Sequence, residues 1–437
     1  MNILIRNGTI LPMNADEGEP LHYVGDVGIE GERIVFAGAD GRRSEEFLAR
    51  HAGDCRVIDA GGKVVMPGFV NTHTHVAMAL LRGVSDDVPL AEWLEQHIWP
   101  IEGRMGRREV FDGARLGMLE MMLGGTTTFV DMYPHEDAVA EAAEGAGMRA
   151  VVCPCAMDFR MEHFEEDWRR TRERTAGSRL VGTMVGPHAI YTLSEGNLRR
   201  AMELADEAGV GIHLHLSETE KEDADARARY GVSPTAWFDA VGLFGRPTIA
   251  AHCVTVSEED IRILAERGVS VAHNPQSNMK LGSGIAPVQR MLEAGVNVSI
   301  GTDGAASNND LDMWEEMRTA SLLQKAVLRD PCAVPAYTAL RMATVNGAKA
   351  IGREGELGVV AAGALADLQI VDMGRPHLQP RTDVVSELVY SAHASDVETV
   401  IVNGRIVVER RECLTLDAAE VCRTAQGLID ELMSAGR

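Results

Sequence analysis

The sequence predicts an α/β protein in which a (β/α)8, TIM-like barrel lies beside a small β-sandwich domain formed by both chain ends. In the central part, short β-branched apolar runs alternate with amphipathic helical stretches. This alternation implies parallel strands joined by crossover helices. At both ends, short strand patterns are separated by turn residues. The barrel is therefore assigned to residues 66–364, and the composite β-sandwich to residues 1–65 and 365–437.

The N-terminal segment is predicted to form short strands. Met1–Arg6, Val27–Glu30 and Arg33–Ala37 are rich in β-forming residues, and Gly31 marks a tight turn between the last two. The barrel pattern begins at Val64–Asn71.

Eight strand candidates follow, each with a helical pattern after it. They are the run that leads to His73 and then Thr126–Asp131, Arg149–Cys153, Leu180–Pro187, Val210–Leu216, Thr248–His252, Val269–His273 and Val296–Thr302. Eight units over roughly 250–300 residues match the size of a (β/α)8 barrel. A doubly wound open sheet is the alternative, and the number of units favours the barrel.

The C-terminal segment returns to strands. Ala366–Val371, Glu398–Val402 and Arg405–Val408 have strand patterns, and Asn403-Gly404 is typical of a hairpin turn. A final helix is predicted from Asp417 to about Ser434.

Composition excludes several classes of partner. The net charge of −23 argues against nucleic-acid binding, which depends on Lys and Arg. No apolar run approaches the ~20 residues of a membrane span, and the N-terminus lacks a signal-peptide core. The seven cysteines are scattered without a CxxC pair, which is typical of reduced thiols. We expect a cytoplasmic protein with neither a nucleic-acid nor a membrane partner.

The strongest local signal is the HxH motif at His73 and His75. Alternate side chains of a strand share a face, so the two imidazoles point the same way and suit a metal ion. Two unrelated histidines at a strand end are the alternative for this motif taken alone.

The second signal is His215 at the end of an apolar strand, followed three residues later by Glu218. In a (β/α)8 barrel the C-terminal strand ends carry the active site, so an imidazole and a carboxylate meet there. His213 lies one layer deeper and is expected to be a packed, hydrogen-bonded core residue.

Two further strands end in candidate site residues, His252 and Asp303. An aspartate after a strand is often only the N-cap of the next helix. Together, the HxH motif, His215 with Glu218, His252 and Asp303 lie at the ends of four separate strands, and this combination indicates a metal centre.

The motifs PGFVNTHTHVAMALLRG, HLHLSET, AHCV, AHNPQSNMKLGSGIAP and GTDGAASNNDLDMWEEMR resemble those of the 5-methylthioadenosine/S-adenosylhomocysteine deaminases. These belong to the cytosine-deaminase-like branch of the amidohydrolase superfamily, close to the triazine hydrolases. The resemblance covers nearly the whole chain, including the split β-sandwich.

The resemblance implies one divalent metal ion, zinc or alternatively Fe2+, with ligands from four residues: His73, His75, His215 and Asp303. Binuclear relatives carry a carboxylated lysine at the end of the fourth strand, and Leu180–Pro187 offers no lysine. Glu218 is implied as the general acid/base and His252 as the residue that orients the attacking water. Asp303 is implied to pass a second proton towards departing ammonia.

The resemblance also implies substrate contacts from Trp93, Glu102 and His188. Each also has a purely structural interpretation: Trp93 as a core residue, Glu102 as a helix cap and His188 as a packed residue at a strand end. Relatives that take S-adenosylhomocysteine bind its carboxylate with arginines after the third strand. In this chain Pro154 lies where the first arginine is expected, and only Arg160 could bind such a carboxylate. An apolar stretch there suits a methylthio tail or a different ring.

The resemblance therefore implies a homo-oligomeric hydrolase that deaminates the adenine ring of a small purine nucleoside: 5-methylthioadenosine, S-adenosylhomocysteine or adenosine. The first alternative is a triazine hydrolase, or a deaminase of a free base such as guanine or a pterin, with the same metal site. The second is a non-catalytic binding protein on an amidohydrolase scaffold. The intact set of site residues argues against the second.

Overall fold

The computed structural model describes residues 2–15 and 18–434. Its strands, in chain order, are β1 (Asn2–Ile10), β2 (Tyr23–Glu30), β3 (Arg33–Gly38), β4 (Cys55–Asp59), β5 (Lys63–Pro67), β6 (Phe69–Thr74), β7 (Thr126–Tyr133), β8 (Arg149–Ala156), β9 (Val181–Thr183), β10 (Gly186–Pro187), β11 (Ile212–Leu216), β12 (Thr248–His252), β13 (Ser270–His273), β14 (Asn297–Ile300), β15 (Leu368–Asp372), β16 (Val397–Val402), β17 (Arg405–Glu409) and β18 (Glu412–Cys413).

The α-helices are α1 (Gly41–Arg50), α2 (Leu90–Glu92), α3 (Trp99–Glu102), α4 (Arg107–Leu123), α5 (Glu136–Ala146), α6 (Met161–Thr175), α7 (Glu195–Ala208), α8 (Glu220–Tyr230), α9 (Pro234–Ala240), α10 (Glu258–Arg267), α11 (Pro275–Lys280), α12 (Val288–Glu293), α13 (Met313–Leu328), α14 (Ala336–Ala343), α15 (Val345–Ala350), α16 (Val384–Tyr390) and α17 (Ala418–Ser434). Trp93–Ile98 forms a π-helical turn between α2 and α3.

Both ends of the chain contribute to one nine-stranded sheet, in the order β18-β17-β16-β15-β5-β1-β2-β3, with β4 also paired to β1. The N-terminal and C-terminal strands meet where β5 and β15 pair antiparallel. The strand predicted at Met1–Arg6 is β1, and Met1 itself lies outside the described residues. The two chain ends thus share one sheet, whereas the composite β-sandwich domain stays a prediction.

The central strands form two parallel sheets with helices between successive strands. The first has the order β10-β8-β7-β6 with β9 on β8, and the second has the order β11-β12-β13-β14. A bridge between Val185 and Ile212 connects the sheets on one side. On the other side, the backbone N–H of Asp303 donates to the carbonyl oxygen of His73 at 2.9 Å. The α/β class is confirmed, and the closed barrel stays a prediction.

Gly301 allows the end of β14 to approach β6 closely. A Cβ atom at this position would lie 2.8 Å from the Cβ of His73 and 2.5 Å from Oδ1 of Asn274. Only glycine fits such an approach, which brings Asp303 beside the HxH motif.

Several strand bounds differ from the prediction. The run Leu180–Pro187 is divided into β9 and β10, because the N–H of Val185 donates to the carbonyl oxygen of Gly211, just before β11, instead. Strand β7 extends two residues further, to Tyr133. Strand β14 ends at Ile300, so Asp303 lies in the loop that follows.

The described part of the chain contains no helix that is both long and apolar enough to span a membrane. Its main core lies between the parallel strands and their helices, where Trp314 packs edge-on against Phe69 with ring centroids 4.8 Å apart.

A buried ion pair joins the first parallel sheet to the nine-stranded sheet. Arg149 opens β8, and its Nε donates to Oδ2 of Asp367 at 2.8 Å. Nη2 of Arg149 donates to Oδ1 of Asp367 at 3.1 Å. Each residue is 3% exposed. A bidentate pair at this depth fixes the relative position of the two sheets.

We expect Asp367→Ala to lower the free energy of unfolding by about 3–5 kcal/mol, since it leaves a buried guanidinium without its counter-charge. Urea denaturation measures the change. Glu173→Ala is the control, because it removes one partner of the exposed Arg169–Glu173 pair and should cost less than about 1 kcal/mol. An equal, small effect of both substitutions would contradict a structural role for the buried pair.

Candidate active site

The predicted site residues lie at the carboxyl ends of the parallel strands. His73 belongs to β6, and His75 follows that strand directly. His215 belongs to β11 and His252 ends β12, while Asp303 follows β14. Four of the five are at most 5% exposed, and the His75 side chain is 13% exposed.

The structure brings these side chains together. The ring centroids of His75 and His215 each lie 4.9 Å from that of His73, and the ring of His252 lies at 5.4 Å. Oδ1 of Asp303 lies 3.3 Å from Nε2 of His75 and 3.5 Å from Nε2 of His73. Nitrogen and oxygen donors this close together form a set that a single divalent ion can bind.

The hydrogen bonds of the imidazoles fix their tautomers. Nδ1 of His75 donates to the carbonyl of Met132 at 2.7 Å, and Nδ1 of His215 donates to the carbonyl of His188 at 2.9 Å. A carbonyl oxygen only accepts, so the proton of each ring lies on Nδ1. Both Nε2 lone pairs therefore face the centre of the cluster, as in metal sites whose ligands are held by outer partners.

His213, expected to be a core residue, is buried and holds His73 in the same way. Its Nδ1 donates to the carbonyl of Ile249 at 3.2 Å. Its Nε2 then accepts from Nδ1 of His73 at 2.8 Å. This leaves Nε2 of His73 buried and without a hydrogen-bond partner. A buried acceptor in this state is costly, and coordination to a metal ion would satisfy it.

The electrostatics suit neutral imidazoles beside a carboxylate. Burial lowers the pKa of His73 to about 4 and that of His215 well below its usual range. Burial alone would raise the pKa of Asp303, but the nearby imidazoles of His73, His75 and His252 hold it well below its usual value. Deprotonated ligands are the form that a divalent ion requires.

Asp303 and His252 are held by two polar side chains from α11. The hydroxyl of Ser277 donates to Oδ2 of Asp303 at 2.6 Å. Nδ1 of His252 donates to Oδ1 of Asn278 at 2.8 Å, so its Nε2 faces the site. Burial opposes a charge on His252, but the carboxylates of Glu218 and Asp303 outweigh burial and raise its pKa.

Glu218 lies two residues beyond β11 and is 4% exposed. Burial raises its pKa above the ordinary value for a glutamate. A carboxyl whose pKa lies closer to neutrality can both accept and return a proton.

These groups form the floor of a pocket of about 840 Å³, including the space at its mouth. All five residues predicted to contact substrate line it: Trp93, Glu102, Arg160, His188 and Glu218. Nε1 of Trp93 donates to the carbonyl of Ser85 at 3.1 Å. Nδ1 of His188 lies 3.0 Å from the hydroxyl of Thr192, and burial lowers the pKa of His188 to about 3.

Tyr133 was not predicted as a site residue, yet its hydroxyl donates to Oε1 of Glu102 at 2.5 Å. Its ring centroid lies 6.4 Å from that of His75, so it connects Glu102 to the metal end of the pocket. Burial raises the pKa of Glu102. The sequence contained a signal for this residue. Tyr133 lies two residues after Asp131, the predicted end of the strand, and therefore on the same face of β7.

An aromatic wall was missed as well. Trp99 and Phe159 line the pocket with their rings 5.9 Å apart. They come from α3 and from the loop after β8, segments far apart in sequence. No local pattern in the sequence relates these two residues.

Known proteins resemble this chain over nearly its whole length. A sequence model described as the amidohydrolase family matches residues 64–407. A 5-methylthioadenosine/S-adenosylhomocysteine deaminase of Moorella thermoacetica is 49% identical over 423 residues, which cover 96% of this chain and 97% of that protein. A 5'-deoxyadenosine deaminase of Methanosarcina mazei is 46% identical over 439 residues and 99% of both chains.

Solved structures are similar over the whole chain. An adenosine deaminase from Xanthomonas campestris with bound zinc has a TM-score of 0.93 and 38% identity, over 99% of this chain and 98% of that one. An atrazine chlorohydrolase from Arthrobacter aurescens in complex with zinc has a TM-score of 0.87 and 26% identity, over 98% and 100% of the two chains.

Proposed function

The chain belongs to the amidohydrolase family, and on that premise we propose that it hydrolytically deaminates the adenine ring of a small purine nucleoside. The candidate substrates are 5-methylthioadenosine, S-adenosylhomocysteine and adenosine, and the products are the hypoxanthine nucleoside and ammonia. One observation carries the proposal. Three inward-facing imidazoles and a carboxylate meet beside Glu218 on the floor of a pocket that also contains Glu102.

We propose that the two parallel sheets form one (β/α)8 barrel over residues 66–364. If β9 and β10 are counted as one interrupted strand, the sheets contain eight strands. The Val185–Ile212 bridge and the Asp303–His73 hydrogen bond lie at the two junctions between them. The nine-stranded sheet would then belong to a composite domain of residues 1–65 and 365–437. The site lies at the carboxyl ends of the strands, where such barrels carry their active sites.

We propose zinc as the resident metal, held by four ligands: His73, His75, His215 and Asp303. The partnerless Nε2 of His73 supports this assignment, as do the zinc-bound structures of the two similar proteins. When bound, such an ion supplies a nucleophile near neutral pH by lowering the pKa of water.

Glu218 is assigned the proton transfer. Its carboxylate would accept a proton from the attacking water and deliver it to the ring nitrogen beside the carbon that carries the amino group. Glutamates that are not metal ligands have the same role in other zinc deaminases. Because burial raises its pKa, the Glu218 carboxylate accepts the proton of the attacking water more readily than an exposed glutamate would.

His252 and Asp303 complete the assignment. His252 is held through Nδ1 by Asn278, so its other nitrogen can orient the water. Asp303, whose carboxylate stays ionised, would accept the second proton from the oxygen of the attacking water and pass it to the leaving amino group.

The substrate contacts follow from the pocket wall. Glu102 would accept hydrogen bonds from ribose hydroxyls, with Tyr133 holding one of its oxygens. Trp93 would lie against the nucleoside and His188 would hydrogen-bond to it. Arg160 lies beside Glu102 on the same wall and would contact the 5' substituent.

Glu102→Gln tests the ribose pocket. We expect it to lower kcat/KM for a nucleoside by about 10- to 100-fold, since a hydrogen bond to a charged group contributes about 1.5–3 kcal/mol. Turnover of a triazine, which has no ribose, should not change. The measurement is ammonia release with each substrate at several concentrations.

Glu95→Gln is the matched control, because Glu95 is an exposed carboxylate in the same segment of the chain. An unchanged kcat/KM for the nucleoside in the Glu102 variant would remove the ribose assignment. It would favour the triazine or free-base alternative, which the similarity to the atrazine chlorohydrolase keeps open.

A further inference from the structure

Glu222 is a buried carboxylate for which the proposed reaction has no role. It lies in the first turn of α8 and is 4% exposed. The sequence Thr219-Glu220-Lys221-Glu222 has the spacing of a capping box, in which the glutamate would bond back to the N–H of the threonine. The structure shows only the threonine half of that motif, with Oγ1 of Thr219 accepting from the N–H of Glu222 at 3.2 Å.

The Glu222 carboxylate extends beyond the helix to the turn that carries Glu218. Oε1 accepts from the N–H of Ser217 at 2.9 Å, and Oε2 accepts from the N–H of Glu218 at 2.8 Å. Two charge-assisted hydrogen bonds to successive peptide groups determine the orientation of both peptides.

This turn needs external support. Ser217 has a φ of +50°, in the left-handed region that residues other than glycine adopt only when their surroundings hold them there. Its carbonyl oxygen accepts from the N–H groups of Val254 and Thr255, each at 2.9 Å. Those residues lie two and three positions after His252. The turn is therefore held by Glu222 on one side and by the His252 loop on the other.

We infer that Glu222 is a positioning residue, which fixes the backbone at Ser217 and Glu218 so that the Glu218 carboxylate faces the reacting atoms beside His252. This inference rests on the proposed function, because it concerns proton transfer by Glu218. Glu222 lines no part of the pocket, so it acts through the turn and not on the substrate.

The test is Glu222→Gln in the metal-loaded protein, with ammonia release from 5-methylthioadenosine as the readout. An amide of the same size places an NH2 group opposite one of the two buried N–H groups, so the turn must shift. We expect kcat to fall by about 10- to 100-fold, as for small misplacements of a catalytic group. KM should stay within about 3-fold of the parent value, and metal content should not change.

Glu220→Gln is the matched control. It removes a carboxylate from the same helical turn, but Glu220 is exposed, and kcat should stay at the parent value. Glu222→Asp keeps the charge but is one methylene too short to reach both N–H groups. We expect an intermediate loss, and this variant carries the test if the glutamine variant does not fold.

A double-substitution cycle separates positioning from a general structural role. In a Glu218→Gln background, Glu222→Gln should cause little further loss, since there is no longer a proton-transfer group to position. A parent-like kcat in the Glu222 variants would overturn the inference, and so would an equal loss in both backgrounds. A parent protein that deaminates no nucleoside would overturn the proposed function instead.

Discussion

Replacement of Glu218 by glutamine is expected to lower kcat by about 10²- to 10⁴-fold, the range attributed to a positioned general acid or base. The amide has nearly the same shape as the carboxylate but cannot accept the proton of the attacking water. Glu218 is not among the groups whose atoms could hold the metal. The variant should therefore bind the same amount of metal per chain and unfold at the same temperature as the parent.

The measurement is ammonia release at saturating nucleoside, together with metal content by elemental analysis. Glu220→Gln again serves as the control, because it changes an exposed carboxylate two residues away. A Glu218→Gln variant as active as the parent would show that another group moves the proton.

Loss of a metal ligand is expected to remove both the metal and the activity. His75→Ala removes one of the four proposed ligand atoms, Nε2 of His75, which lies 3.2 Å from Nε2 of His215. The other three proposed ligands remain. We expect metal content to fall from about one ion per chain towards zero after dialysis, because structural and catalytic sites depend on their complete ligand sets.

His163→Ala is the control for this experiment, since His163 is exposed on α6. It should keep both metal and activity. Retention of one ion per chain in His75→Ala would contradict the proposed ligand set. Adding zinc back to the depleted parent should restore ammonia release, which shows that the loss in the variant comes from the site and not from dialysis.

The sequence was informative wherever a local pattern determines the position of a side chain. The two-residue period of a strand places His73 and His75 on one face. The rule that active sites lie at strand ends located His215 and His252 in the cluster found in the structure. Alternating patterns near both chain ends predicted strands there, and in the structure β5 and β15 from these two segments pair with each other.

Contacts between distant segments could not be predicted in this way. Arg149 and Asp367 lie 218 positions apart, and no periodicity relates them. The interruption between β9 and β10 arises because Val185 bonds to a neighbouring strand, which depends on the packed sheet. Glu222 shows a different limit, since its spacing from Thr219 predicts an ordinary capping box and its actual partners lie outside the helix.

The same distinction applies to the pocket. His213 was expected in the core, and its contact with His73 became visible only in three dimensions. The substrate residues were inferred from family resemblance, and their roles remain proposals. Their common position around one cavity nevertheless makes each of them accessible to a direct test.

The central claim is that one metal-dependent site deaminates a purine nucleoside. The most direct test is ammonia release by protein of known metal content from five compounds: adenosine, 5-methylthioadenosine, S-adenosylhomocysteine, guanine and melamine. We expect release from the nucleosides, fastest with 5-methylthioadenosine, and its loss when the metal is removed. Release from guanine or melamine alone would contradict the claim, since it would leave the metal site without the ribose pocket.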